Sequence, residues 1–428
     1  MELIKEKRNI KLEYPTDWVL FNLGKSSILK ARIGWQGLTT AEYLDSGNYY
    51  LITGTDFKNG YIDWDNCVYV EKLRYDQDKN IQVKKGDVLV TKDGTIGKVA
   101  YVNRVPKETT LNSGVFVIRP IHKSYHSRYF YYVLMSEHFK TFLNKLTAGS
   151  TISHLYQKDF IHYEFHLPPT LDEQKGIANA LSDVDDLITN LDKLITKKKA
   201  IKLGAMQELL TPPNKGGKRL PGFTGEWVEK SIESLVLKKG LIRGPFGGAL
   251  KKEFFVQNGY KVYEQKNAIY KSVELGSYFI DNDKFKELKR FEIQENDFIL
   301  SCSGTIGKMY QIPKEFEKGI INQALLIIRL DRTISDYKYF EHQFTSDVIQ
   351  KDVVDDTQGG AMKNLVGMSD FKKATIPYPP SLDEQKAIAK ILSDLDASLE
   401  QLENKKAKYQ AIKQGMMQEL LTGKTRLV

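Results

Sequence analysis

A chain of 428 residues with 41% hydrophobic and 11% aromatic content holds enough apolar material for several packed domains, which excludes a disordered or low-complexity protein. Two cysteines, Cys67 and Cys302, lie far apart without C-x-x-C spacing, which excludes a disulfide framework and speaks against a thiolate metal site. The formal net charge of +9 favours a polyanionic partner such as nucleic acid, with a basic protein lacking any such partner as the plain alternative.

The opening "MELIKEKRNIKLEYP" lacks the apolar core of a secretory leader, and no apolar run near about 18 residues follows, so a soluble cytoplasmic protein is expected. Residues 1–166 read as a first α+β module, with short strands such as "VFVIRP" (115–120) between glycine turns. Its stretch "LKARIGWQGLTT" (29–40) interleaves basic and aromatic groups. Lys30, Arg32, Trp35 and Gln36 are candidate DNA contacts, because Arg and Gln can pair with guanine and adenine edges. The "GTIGK" at 94–98 invites a nucleotide-binding reading, yet Lys92 stands where the Walker pattern needs its first glycine and Val99 where it needs Ser or Thr. Strand-like "DVLV" and "KVAYV" on either side predict a hairpin whose glycines take positive φ. Lys92 and Lys98 of that hairpin are further candidates for DNA contact, as are Ser150, Ser153 and His154 of "GSTISHL". His122 and His126 stand four apart, but no partner cluster accompanies them and surface histidines are the plainer reading.

Residues 167–211 predict a long helix. Prolines precede a capping box, Thr170-x-x-Glu173, in which the hydroxyl accepts from a free N–H while the glutamate reaches back. Ile177, Leu181, Val184, Ile188, Leu191 and Ile195 recur at alternating spacings of 4 and 3, the signature of a heptad seam. Asp185 and Asp186 are read as a solvated exposed pair. Residues 212–224, rich in Pro, Gly and Lys, read as a linker.

A second α+β module, 225–377, repeats the plan. Its "KKGLIRGPFGGALKKE" (238–253) offers Arg243, Lys251 and Lys252 around a glycine-rich loop. A second "GTIGK" at 304–308, with Cys302 and Met309 at the Walker positions, adds Ser303 and Lys308, and "GGAMKNL" adds Lys363 and Asn364. Residues 378–424 predict a second long helix, with Ser381-x-x-Glu384 as capping box and Ile388, Leu392, Leu395, Leu402, Met416 and Leu420 on its seam. Lys198, Lys202, Ser398, Lys406 and Lys413 fall on the two seams and make them imperfect.

These elements recur because the chain is duplicated with a period of about 210 residues. "VKKGDVLVTKDGTIGK" lies over "IQENDFILSCSGTIGK", and "LNSGVFVIRP" over "INQALLIIRL". "PPTLDEQKGIANALSDVD" lies over "PPSLDEQKAIAKILSDLD", and from there to "MQELLT" roughly 25 of 45 positions are identical. Two close-copy helices should pair, and an antiparallel pair would relate the halves by an approximate two-fold axis, as B-DNA relates its strands. The modules keep a scaffold while changing surface residues, which two different base readouts would require. No methyltransferase [NDS]-P-P-[YFW], G-x-G-x-x-G or H-E-x-x-H pattern occurs.

The order of variable module, "LDEQK…MQELLT" helix, variable module and second such helix resembles the specificity subunit of type I restriction–modification systems over essentially the whole chain. The resemblance implies two target-recognition domains, each reading one half of a split DNA sequence. It also implies an antiparallel coiled coil that sets their spacing and docks two methyltransferase subunits. No cofactor is then expected on this chain: S-adenosylmethionine for adenine N6 methylation belongs to the methyltransferase partners, ATP and Mg²⁺ to a separate motor-nuclease subunit. No membrane is involved. "GGAMKNL" and "SCSGTIGK" depart from "GSTISHL" and "TKDGTIGK" of the first copy. A coiled-coil scaffold with loosely binding basic modules, and a nuclease or methyltransferase with an unrecognised site, remain the competing readings.

Overall fold

The computed structural model describes residues 14–147, 154–346, 349–351, 354–355 and 364–427. The chain divides into two compact units, Met1–Asp192 with Asn404–Val428, and Lys193–Glu403. In the first unit, four antiparallel strands are ordered Ser27–Lys30, Val115–Pro120, Val88–Thr91, Val99–Tyr101. The apolar runs of the two central strands, Val115–Pro120 and Val88–Thr91, are buried on both faces, which is why they read as continuous rather than alternating. Val88, Val90, Phe116 and Ile118 face the aromatic helix Ser127–Met135, packing with Tyr129 and Phe130. Leu89, Val115 and Val117 face the other way, toward Ile52 and Leu111 of a smaller sheet in which Tyr49–Ile52 and Glu108–Leu111 run parallel.

The second unit has the same plan. Its four strands are ordered Val236–Arg243, Leu325–Leu330, Phe298–Ser301, Met309–Gln311. Phe298, Leu300, Leu326 and Ile328 pack on Tyr339 and Phe340, whereas Ile299, Leu325 and Ile327 pack on Tyr263 and Ile321. Here too the smaller sheet contains one parallel pair, Tyr260–Tyr263 with Gly319–Ile321. The duplication reaches single side chains. Arg119 clamps Asp87 through Nε at 2.7 Å and Nη2 at 2.6 Å, and Arg329 clamps Asp297 through both nitrogens at 2.7 Å. Both are bidentate pairs tying the end of one central strand to the residue just before the start of its central neighbour.

The long helices run Leu171–Leu209 and Leu382–Leu420. Within the first unit Ile177 and Leu181 share one core with Leu420 and Leu421; within the second, Ile388 and Leu392 share one with Leu209 and Leu210. Burying each such side chain stabilises by about 1.5–3 kcal/mol. The helices pair antiparallel. In the first unit Lys413 reaches Asp185 and Lys406 reaches Asp192, each at 2.5 Å; in the second Lys202 reaches Asp396 and Lys199 reaches Glu403 at 2.7 Å.

These contacts correct two expectations. Lys202, Lys406 and Lys413 do not merely interrupt the seam, since each meets an acid of the facing helix and so helps to specify antiparallel register. Asp185 is not a solvating surface acid. Its side chain is only 12% exposed and also accepts from the Tyr132 hydroxyl at 2.8 Å, while Asp186 stays exposed.

The capping boxes are half right. The Glu173 N–H donates to Thr170 Oγ1 at 3.2 Å, and the Asp383 N–H to Ser381 Oγ at 3.2 Å. The glutamates, however, turn away from the helix starts. Glu384, wholly buried, takes Arg219 Nη2 at 2.7 Å and Trp227 Nε1 at 3.2 Å, and Glu173 takes Arg426 Nη2 at 2.8 Å. Arg219 and Arg426 follow the two "MQELLT" sequences, so one device recurs: the chain leaving one helix is pinned to the start of the other. A guanidinium–carboxylate pair is stronger than a glutamate-to-amide cap, and it wins.

Candidate DNA-recognition surface

In each unit some of the candidate residues stand at one end of the four-stranded sheet, because antiparallel register brings strand ends together there. Lys30 pairs with Val117 and Thr91 with Val115, so Lys30 and the hairpin beginning at Lys92 flank the start of the central strand. Arg243 pairs with Leu326 and Ser301 with Leu325, which places Arg243 and the second hairpin likewise.

Both "GTIGK" segments are the tight hairpin loops expected, with Gly94 and Gly97 at φ of 68° and 77°, and Gly304 and Gly307 at 62° and 75°. A left-handed backbone favours glycine, and a Cβ at Gly97 or Gly307 would also collide with Leu143 or Gln350. The loops are stapled identically: the Lys98 N–H donates to Thr91 Oγ1 and the Lys308 N–H to Ser301 Oγ, both at 2.9 Å. Those backbone amides are consumed inside the turn rather than left to cradle a phosphate.

In the first unit the structure joins two motifs that sequence singled out separately. The Leu155 N–H donates to the Lys92 carbonyl at 2.7 Å, and His154 Nδ1 lies 2.5 Å from Asp93 Oδ1. His154 is half exposed, with Tyr156 beside it at 5.9 Å between ring centroids. Lys30 and Lys98 are exposed, whereas Lys92 is half-buried with its ammonium over the Phe116 ring. Ser150, Ser153 and Lys363 lie outside the described residues. Trp35 falls in the short 3₁₀ turn Gly34–Gln36, and Asn364 in a two-residue strand paired with Val354–Asp355.

Two candidates are corrected. Arg32 is 1% exposed and spends its donors inside: Nε on the Leu111 carbonyl at 2.9 Å, Nη1 on Gln77 at 3.0 Å, Nη2 on Thr110 and the Arg74 carbonyl at 3.1 and 3.2 Å. Burial is the largest cause lowering its pKa. Arg32 therefore ties the loop to the small sheet and presents nothing to a base edge. Gln36 is also buried, at 8% exposure, with Oε1 facing no hydrogen-bond donor among the described residues.

In the second unit Arg243 is half-buried beside the Cys302 thiol, its Nη1 without an oxygen or nitrogen acceptor among the described residues and its guanidinium 5.9 Å from the Phe246 ring centroid. Burial pushes the neighbouring Cys302 thiol up to about 12, against the opposite pull of Arg243. Lys251 and Lys252 are exposed, Lys251 with Glu253 at 3.6 Å. Gln265 donates to the carbonyls of Ser303 and Thr305, fixing the second hairpin loop from the side. Lys308 is exposed and lines a groove of about 1220 Å³ that also touches Lys202, Met206 and His342. Among the described residues no group of His, Cys, Asp and Glu is arranged to hold a metal ion, and no helix is long and apolar enough to cross a membrane. His122 sits at φ 51° in a short turn and His126 precedes the helix Ser127–Met135, so the two do not share a helix face.

Sequence reasoning missed Phe246, 69% exposed, although an aromatic residue between glycines in a basic loop was there to be read. It also missed the Arg219–Glu384 and Arg426–Glu173 pins, which need partners more than 150 residues away.

The family described as "Type I restriction modification DNA specificity domain" matches residues 15–202 and again 246–414. The type I restriction enzyme MjaVIII specificity subunit of Methanocaldococcus jannaschii is 26% identical over 443 residues, covering 100% of this chain and 98% of that one. The EcoBI specificity subunit of Escherichia coli is 24% identical over 343 residues, 74% of this chain and 68% of that one. In fold, the chain is similar to the crystal structure of a type I restriction–modification S subunit from M. genitalium, with a TM-score of 0.59 at 16% identity over 97% of both chains. The chain belongs to this family: it is a specificity subunit of type I restriction–modification systems, a DNA-recognition rather than catalytic component, with two copies of the recognition domain.

Proposed function

We propose that this chain directs a type I complex to a bipartite DNA sequence, each recognition domain reading one half. The observation that carries the reading is the duplication itself. Two modules keep one internal frame, down to Arg119–Asp87 and Arg329–Asp297, and differ where strand ends and loops gather basic groups. The paired helices set the number of base pairs between half-sites and dock two methyltransferase subunits, whose near-copy sequences would offer each partner a similar surface. Those partners bind S-adenosylmethionine and methylate adenine N6. ATP and Mg²⁺ belong to a motor-nuclease subunit that joins through the complex, and the assembly works in the cytoplasm, where the chromosome is. Lys30, Lys98, His154, Lys251, Lys252, Ser303 and Lys308 are the proposed DNA contacts, with Arg243 beside them.

Hydroxyl-radical footprinting of the chain with its methyltransferase partner tests this. Two protected blocks at a fixed separation, on one defined sequence, are expected. Uniform protection without a preferred sequence would favour the scaffold reading.

A further inference from the structure

We propose that Phe246 is a stacking wedge of the second recognition domain, inserting its ring against a base step of the half-site that this domain reads. The inference rests on the DNA-recognition reading and adds a residue and a contact type to it.

Four observations carry it. A phenylalanine ring 69% exposed is costly in water, and Phe246 sits in "RGPFGGAL" with no bulky neighbour following it. The loop beneath it is anchored: the Gly244 N–H donates to the Leu325 carbonyl at 3.0 Å, Gly244 and Pro245 are buried, and a Cβ at Gly244 would collide with the Asn322 carbonyl. A wedge needs such a base, because a mobile ring would lose its ordering entropy on binding.

The surroundings are cationic. Arg243 holds its guanidinium 5.9 Å from the ring, its Nη1 without an oxygen or nitrogen acceptor among the described residues, and exposed Lys251 and Lys252 follow the loop. Phosphates flank every base step, so a ring aimed at bases is best served by cations beside it. Finally, the loop leaves the sheet at the end shared with the second hairpin, since Arg243 pairs with Leu326 and the Cys302 N–H donates to the neighbouring Ala324 carbonyl at 2.9 Å. Every base has a face on which an aromatic ring can stack, whereas only phosphates answer the lysines. Ring and cations therefore divide the work, the cations holding the backbone and the ring selecting steps that unstack readily.

The test uses the full chain assembled with its methyltransferase partner and a duplex carrying the methylation-mapped target, beside a shuffled duplex. Phe246→Ala is expected to weaken binding to the target about 10- to 100-fold with an unchanged salt slope, because no charge is removed. Phe246→Tyr is expected to stay within about threefold of the original protein. 2-Aminopurine placed along the second half-site should change fluorescence at one step with the original protein and lose that change with Phe246→Ala. The ring is exposed, so the thermal unfolding midpoint should not move.

Sequence-preferring binding by the original protein with an unaffected Phe246→Ala variant overturns the wedge alone. An original protein without sequence preference overturns the recognition reading, and the wedge with it.

Discussion

Replacing Lys251 and Lys252 together by glutamine tests whether the second glycine-rich loop lies on the phosphate backbone. Each lysine that neutralises one phosphate adds about 0.9 to the slope of log K against log salt, so losing two should reduce the slope by about 1.8. Referred to about 1 M salt, that reduction weakens binding about 30-fold at about 0.15 M. The two lysines should not be equal. Lys251 is 59% exposed and already 3.6 Å from Glu253, so it exchanges one anion for another on binding. An exposed pair of that kind is worth about 0–1 kcal/mol, and the single Lys252→Gln variant should therefore lose more affinity than Lys251→Gln. Fluorescence anisotropy of the assembled chain on target and shuffled duplexes, from about 0.05 to about 0.3 M salt, gives both slopes. They should fall in parallel. An unchanged slope in the double variant refutes the phosphate assignment, and a loss confined to the target duplex would mean that these lysines touch bases.

Three further outcomes follow from the interior. Arg32→Gln strips donors from four acceptors and should destabilise the first unit by about 3 kcal/mol in urea unfolding; a stable variant with lost DNA affinity would make Arg32 a DNA contact rather than an internal tie. Asp185→Ala leaves Lys413 and the Tyr132 hydroxyl without their acceptor and should cost about 1–3 kcal/mol, and a double-mutant cycle with Lys413→Ala should return a coupling of about 1 kcal/mol, whereas zero coupling would mean the seam pair is incidental. Burial lowers the pKa of His342, the second unit's single histidine, with Asp396 pulling the other way. The unfolded chain then binds a proton that the folded unit refuses, so the unit's urea midpoint should fall as pH drops through about 6.5, and His342→Gln should flatten that fall. A midpoint that rises on acidification would contradict the sign.

Much of the fold was legible because its signals are local or repeated. The helices announced themselves through proline, a capping hydroxyl and apolar 4–3 spacing, and the hairpins through glycines between apolar runs. What stayed hidden depends on partners distant in sequence. Nothing near Asp185 says that Lys413 and Tyr132 will close over it. Nothing near Glu384 says that Arg219 will draw it from the helix start. Arg32 shows the limit most plainly for the recognition surface: an arginine beside a tryptophan in a glycine-containing loop reads like a base contact, yet four acceptors gather it inward. Its near counterpart Arg243 has a buried nitrogen without an oxygen or nitrogen acceptor among the described residues and an exposed ring next to it. Equal sequence signals thus divide into a structural and a surface role, and only three-dimensional neighbours decide which.

The most direct measurement is long-read methylation mapping of DNA from cells carrying this chain with its methyltransferase partner, beside cells lacking this chain alone. A split motif carrying N6-methyladenine on each strand at a fixed spacing, absent from the control, is expected. An expressed and active partner that leaves no such motif, or the same motif in both cell lines, would contradict it.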